Sequence, residues 1–171
     1  EKTEILPEGD LTKPVPSSDG TEAILSVTSD KTDTLYLRGF VGDTYKNGTW
    51  SALDAETAAA EKDLFYWLHE NGFYPQSQFA LSAAQTAEYE TETIQISNLS
   101  ACSLYRYEPF SVLPTSAGTA KNRLASSAVK TSGWNGEREY SYTVIADAST
   151  ILPQILDDLQ QNEADSVYLQ M

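Results

Sequence analysis

Apolar and polar residues alternate with period two in several stretches of this chain, and each stretch predicts a strand. Ala23, Leu25 and Val27 alternate with Ile24, Ser26 and Thr28, giving one apolar face. After the turn residues Asp30-Lys31-Thr32-Asp33, Leu35, Leu37, Gly39 and Val41 alternate with Tyr36, Arg38 and Phe40. Both faces of this second strand carry bulk, so it is expected to be central and covered on both sides. The short turn predicts that the two strands pair as a hairpin. Asn47-Gly48, two residues that tolerate positive φ, predicts a further tight reversal flanked by Tyr45 and Trp50.

The period changes at Asp54, a predicted N-cap, with Glu56 in the first turn where the helix dipole favours an acid. Ala58, Phe65 and Leu68 form one stripe with Leu64 beside it, predicting one helix over about 54–71 that stops at Gly72. Residues 76–89 fit a short helix or an irregular loop equally. Thr91–Ser97 alternates with Ile94 and Ile96 inward, and Ser103–Tyr107 alternates with Tyr105 and Tyr107 on one face. Pro109 and Pro114 bracket an edge or irregular segment. Residues 115–135 are rich in small residues, with Leu124 and Val129 as candidate anchors and Trp134-Asn135-Gly136 as a turn. Tyr140, Tyr142, Val144 and Ala146 alternate most clearly of all. Leu152, Ile155, Leu156 and Leu159 have helical spacing, predicting a short amphipathic helix over about 153–161, and Val167-Tyr168-Leu169 closes the chain.

At least five strands and two helices follow, without strict alternation, so the expected class is α+β. The expected core is a largely antiparallel sheet, or a sandwich-like arrangement, of five or more strands. Residues 1–20, rich in Pro, Gly and Ser, read as an extended lead-in, and 21–171 as one domain. A chain of 171 residues can bury a core without staples.

The formal charge of −14, from 25 acids against 11 bases, opposes binding to a phosphate backbone or an anionic lipid surface. No apolar run approaches the length of a membrane span. One cysteine, Cys102, excludes an intramolecular disulfide and a four-thiolate zinc site. An acidic, Thr/Tyr-rich, almost Cys-free chain suits an exported bacterial surface domain. Asn47-Gly48-Thr49 and Asn98-Leu99-Ser100 match the glycan-acceptor tripeptide.

Nucleophilic catalysis would have to use Cys102 and the single histidine, His69. His69 sits at a helix C-terminus, a favourable place for an imidazolium on a surface, and Cys102 reads as a small semi-buried residue in a loop. No phosphate loop, nucleophile elbow or calcium-loop spacing is present in the sequence. Asp157-Asp158 and Glu163-x-Asp165 suit a solvated helix face and its trailing loop. No catalytic, cofactor or metal residue is therefore assigned. Tyr36, Tyr45, Trp50, Tyr105, Tyr107, Trp134, Tyr140 and Tyr142 form either a sugar or peptide platform or the packing of a sheet and its rim.

The stretch from Leu35 to Trp50 resembles a recurrent segment of bacterial transglutaminase-like proteins, with Tyr36, Arg38, Gly39, Tyr45, Gly48 and Trp50 on the matching positions. In membrane-anchored members this segment lies in the extracytoplasmic region ahead of the catalytic core. Asn98-Leu99 through Tyr105-Arg106-Tyr107-Glu108-Pro109-Phe110 is similar to a strand pair of that region, and Val167-Tyr168-Leu169-Gln170-Met171 to its lead into the core. The family's core uses Cys, His and Asp in that order, whereas His69 here precedes Cys102, so no catalytic residue carries over.

The resemblance implies a non-catalytic extracytoplasmic accessory domain, at the cell surface within a membrane-anchored protein. It would position or gate a peptide- or wall-directed core on the same polypeptide, with cell-wall peptide or a surface protein as a further partner. The alternatives are an independent glycan- or peptide-binding module and a small hydrolase. Tyr36, Arg38, Tyr45 and Trp50 are the structural or contact candidates. Trp50 is expected to be buried as a clamp on the Asn47-Gly48 turn, and Arg38 to be held by a carboxylate inside the fold.

Overall fold

The computed structural model describes residues 9–13, 22–31, 34–114, 131 and 137–161. In chain order the elements are β1 (Leu25–Thr28), β2 (Leu37–Arg38), β3 (Thr44–Lys46), β4 (Thr49–Ser51), α1 (Ala55–Ala60), α2 (Lys62–Glu70), α3 (Gln78–Thr86), β5 (Thr91–Asn98), β6 (Glu108–Pro109), β7 (Glu139–Ile145) and α4 (Ala148–Gln161). The class is α+β and every strand pair is antiparallel.

The two most cleanly alternating segments build the centre. β5 pairs with β7 so that Ile94 faces Tyr142 and Ile96 faces Tyr140. These four side chains, with Val112 and Val144, form a buried cluster against which Leu25, Leu35 and Leu37 pack. The opposite face carries Thr93, Gln95, Ser97 and Ser141, none of them buried, which is the one-sided pattern of an antiparallel sheet facing water. β1 adds to the other side of β5, giving the order β1-β5-β7. Beyond β7 the chain at Ser111–Leu113 lies along its free edge through a Val112–Val144 bridge.

Among the described residues the strands fall into this three-stranded sheet and two pairs, β2–β6 and β3–β4, not into one sheet of five or more. The expected hairpin between the first two strands does not form. β1 joins β5 and β2 joins β6, because Leu25 and Leu37 gain more by covering the apolar face of β5–β7 than by pairing with each other. The second strand is shorter than its alternation suggests and is only half-buried. Ser103–Tyr107 is not a named strand, yet Tyr105 and Tyr107 are buried with Ala101 and Cys102. Gly39 lies against those two rings: a Cβ there would sit 2.8 Å from Tyr105 and 2.9 Å from Tyr107.

The helix expected over 54–71 is two helices, α1 and α2, broken at Glu61. Asp54 caps α1, its Oδ1 accepting from the Thr57 N–H at 2.8 Å. α2 closes in a Schellman turn at Gly72, φ 80°, where Phe73 N–H reaches Leu68 O and Gly72 N–H reaches His69 O. Residues 78–86 are helical, and α3 packs on α4 through Ala80, Ala83, Ile145, Ile151 and Ile155. α4 begins five residues before Pro153 and holds that proline inside it. Its buried stripe is Ala148, Ile151 and Ile155, while Leu152 and Leu156 are exposed. The side chain of Leu159 lies outside the described residues, as do most of the 1–20 lead-in, Leu124, Val129, Trp134, Glu163, Asp165 and the segment at Val167–Leu169. Among the described residues no helix is long and apolar enough to cross a membrane.

Two predictions follow from this packing. Ile94→Ala opens a cavity in the shared face of β5 and β7 and should cost about 2–5 kcal/mol in a urea unfolding titration. The Thr57 hydrogen bonds hold the Asp54 carboxyl below its ordinary range. The stability it gives α1 is present above the unfolded aspartate value of about 3.9 and is lost as pH falls through the lower folded value. Helical circular dichroism should therefore drop on acidification, and Asp54→Asn, which keeps the cap, should flatten the part of that drop due to α1.

Candidate functional site

The four sequence candidates lie on two structures. Tyr36 and Arg38 belong to the β2–β6 ladder, where Arg38 stands opposite Glu108. Arg38 Nη2 lies 3.9 Å from Glu108 Oε2, with the guanidinium side chain 28% and the carboxylate side chain 3% exposed. The carboxylate partner expected for Arg38 is thus present, and it comes from the strand that pairs with it. Tyr36 is exposed and meets Phe110 edge-on at 5.8 Å, while its carbonyl accepts from the Phe110 N–H.

Tyr45 and Trp50 face each other across the β3–β4 hairpin, their ring centroids 5.1 Å apart. The Asn47-Gly48 turn has φ of 51° and 81°, so both turn residues take the left-handed conformation the sequence predicts. The backbone N–H of Trp50 donates to Gly9 O and that of Leu11 to Gly48 O, so residues 9–11 line the outer edge of the hairpin. Trp50 is not the buried clamp expected. It is 40% exposed, and Tyr45 is 55% exposed. A two-stranded hairpin has no second layer to cover an indole, so the ring covers Gly42 on one side and meets water on the other.

The wider aromatic set divides. Tyr105, Tyr107, Tyr140 and Tyr142 are core residues. Tyr140 Oη accepts from the Tyr107 N–H at 2.8 Å, and the Arg106 guanidinium lies 5.5 Å from the Tyr140 ring centre. Arg106 is also paired with Glu137, tying the 98–108 segment to the strand that follows. Burial pushes the Tyr107, Tyr140 and Tyr142 phenols above their ordinary range. Of the described members of this set, Tyr36, Tyr45 and Trp50 are exposed and left for contact with a ligand.

Cys102 is 4% exposed and packs with Ala101, Tyr105 and Tyr107, while His69 stacks on Tyr74 at 4.9 Å beyond the end of the α2 ladder. Asn98 is buried and donates its side-chain amide to Cys102 O, so it does not offer that nitrogen to a glycan in the folded chain. No group of three or more His, Cys, Asp or Glu side chains among the described residues is placed to hold a metal ion.

Two features escape a reading based on motifs. Lys31, placed in a turn by sequence, forms ion pairs with Glu90 at 2.8 Å and Asp147 at 3.1 Å at the rim of a cavity of about 270 Å³. Its partners are remote in the chain, so no local pattern signals them. Helix α2 exposes Leu64, Tyr66 and Trp67 and buries only Leu68, and α1 buries nothing. A signal for this exists: Leu64-Phe65-Tyr66-Trp67-Leu68 is apolar around the whole helix, a pattern that asks for more than one covering surface. The chain matches no family model, curated protein or solved structure.

Removing Arg38 leaves the buried Glu108 without its cross-strand cation, so Arg38→Met should cost about 2–3 kcal/mol by chemical denaturation. Trp50→Ala removes one half-exposed cross-strand pair and should cost about 1 kcal/mol, measured the same way. A loss of 3 kcal/mol or more, the value of a fully buried ring, would return Trp50 to the role of a buried clamp.

Proposed function

We propose that this chain is a non-catalytic extracytoplasmic accessory domain of a transglutaminase-like surface protein. It positions or gates a peptide- or wall-directed catalytic core on the same polypeptide. Beside the resemblance of residues 35–50, the observation that carries this proposal is the exposed apolar face of α2. A helix of nine residues does not hold itself in water, and one that exposes Leu64 and Trp67 three residues apart presents an apolar stripe to a neighbour. The flanking acids Glu56, Glu61, Asp63 and Glu70 against the lone Lys62 select a cationic neighbouring surface. The chain's own charge of −14 opposes pairing with a second copy.

Cys102 has no part in acyl transfer on this reading, consistent with its burial. The decisive observation is the reading frame after Met171, which should encode Cys, His and Asp in that order. In the polypeptide carrying both parts, amides 64–70 should exchange more slowly than in the isolated chain, and Leu64→Asp with Trp67→Asp should abolish that protection. Equal exchange in both forms would refute docking through α2. The isolated chain should show no acyl transfer to amine acceptors, and activity lost in Cys102→Ala would overturn the non-catalytic role.

The exposure of Tyr45 and Trp50 favours a second reading, an independent glycan- or peptide-binding module. Paired rings open to solvent offer the flat apolar surface that sugar faces and peptide side chains stack on. Titration with wall glycan fragments, read by tryptophan fluorescence, should then give a saturable change that Trp50→Ala removes without lowering the unfolding midpoint by more than the loss expected for that ring.

A further inference from the structure

The cavity at Lys31 is a separate feature from both surfaces above. It opens between β1, residues 34–37, the inner face of β5 and β7, and the start of α4. Val27, Leu35, Leu37, Ile94 and Val144 make its walls apolar. Its rim is charged: Glu92 and Asp147 line it, and Glu90 stands behind Lys31. Two of these carboxylates, Glu90 and Asp147, hold the Lys31 ammonium, and the third, Glu92, lines the cavity. Glu92 accepts from the Ser29 hydroxyl at 2.6 Å. A carboxylate offers about four acceptor positions, so Glu92 can serve a second donor while it holds Ser29. Asp147 is held at the rim in the left-handed conformation, φ 54°, immediately before α4.

We infer that this cavity binds a primary ammonium carried on a short unbranched alkyl chain. The chain lies against the apolar walls, and the ammonium bonds the carboxylates of Glu92 and Asp147. Lys31 shows the chemistry in place, since its own ammonium is held at this rim by two carboxylates. An anion of the same size meets an excess of negative charge. A wholly apolar molecule covers the carboxylates without returning a hydrogen bond, which costs free energy. A volume of about 270 Å³ lies just below the roughly 300–1,000 Å³ of drug-sized sites, so the ligand is small. Free alkylamines and the lysine side chain of a peptide share this chemistry.

The test uses the whole chain and amide chemical-shift mapping with n-butylammonium, butyrate, 1-butanol and N-acetyl-lysine methylamide. Saturable shifts should appear at Val27, Glu92 and Asp147 with n-butylammonium, with affinity at least about fivefold above that for butyrate and butanol. Binding of the lysine derivative as well would identify a peptide side chain as a source, whereas binding of butylammonium alone would restrict the site to free amines. Glu92→Gln should weaken butylammonium about five- to tenfold. Val27, 39% exposed on an edge strand, accepts a larger side chain without loss of the core, so Val27→Trp should narrow the cavity and abolish the shifts at Glu92 and Asp147. Equal affinity for butyrate or butanol would overturn the proposal, as would no saturable shift or unchanged binding in Val27→Trp. Unchanged binding in Glu92→Gln would overturn the carboxylate's part in it.

Discussion

The segments that surround the central sheet lean on the contact between Ile94, Ile96, Tyr140 and Tyr142 across the β5–β7 ladder. The ladder supplies the one broad apolar face in the described structure, and neighbouring segments are arranged by how they cover it. β1 and β2 lie where Leu25 and Leu37 reach that face, and Val112 closes its far edge. Tyr140 serves twice, since its ring is part of the face and its hydroxyl takes the backbone N–H of Tyr107. That bond places Tyr107, and the adjoining Glu108 then stands opposite Arg38. The Arg38 ion pair is therefore a consequence of the central ladder, three contacts removed.

The elements most distant from this ladder are the ones with exposed aromatic and apolar side chains. The β3–β4 hairpin and the α1–α2 pair hold their backbones by local means: a left-handed Asn-Gly turn, an aspartate cap and a Schellman closure. Local devices fix a conformation without demanding burial. Tyr45, Trp50, Leu64 and Trp67 are thereby free to meet something outside the described chain, which is why both functional readings rest on them.

Sequence pattern revealed the parts governed by local rules. The alternation at 91–97 and 140–146, the Asn47-Gly48 reversal, the Asp54 cap and the Gly72 stop all depend on a residue and its near neighbours. Strand partners do not. The turn at 30–33 is compatible with a hairpin, and only the competing apolar face of β5 and β7 decides that β1 and β2 pair elsewhere. The spacing of Leu152, Ile155, Leu156 and Leu159 predicts a helix over about 153–161, but Ala148, Ile151 and Ile155 begin the buried stripe earlier and carry the helix through Pro153. The position of Trp50 beside the Asn47-Gly48 turn suits a buried clamp, and a hairpin standing apart from the core gives it nothing to be buried under. Among the candidate residues, the carboxylate need of Arg38 was legible from charge and position. The grouping of Lys31 with Glu90, Glu92 and Asp147 was not, since it exists only once three distant segments meet.

The order β1-β5-β7 also sets a timetable for the chain. β5 is the middle strand, yet its partners come from opposite ends of the sequence: Leu25 pairs with Asn98, and Thr91 with Ile145. Such long-range pairings require closing large loops before they return any stability, which makes folding slow compared with a helical bundle. During synthesis the hairpin and the α1–α2 pair emerge before β5, and the apolar side of β5 waits uncovered until β7 has left the ribosome. In that interval Ile94 and Ile96 form an open strand edge and face together, the condition under which unfinished chains associate with one another. The net charge of −14 opposes the approach of one such unfinished chain to another.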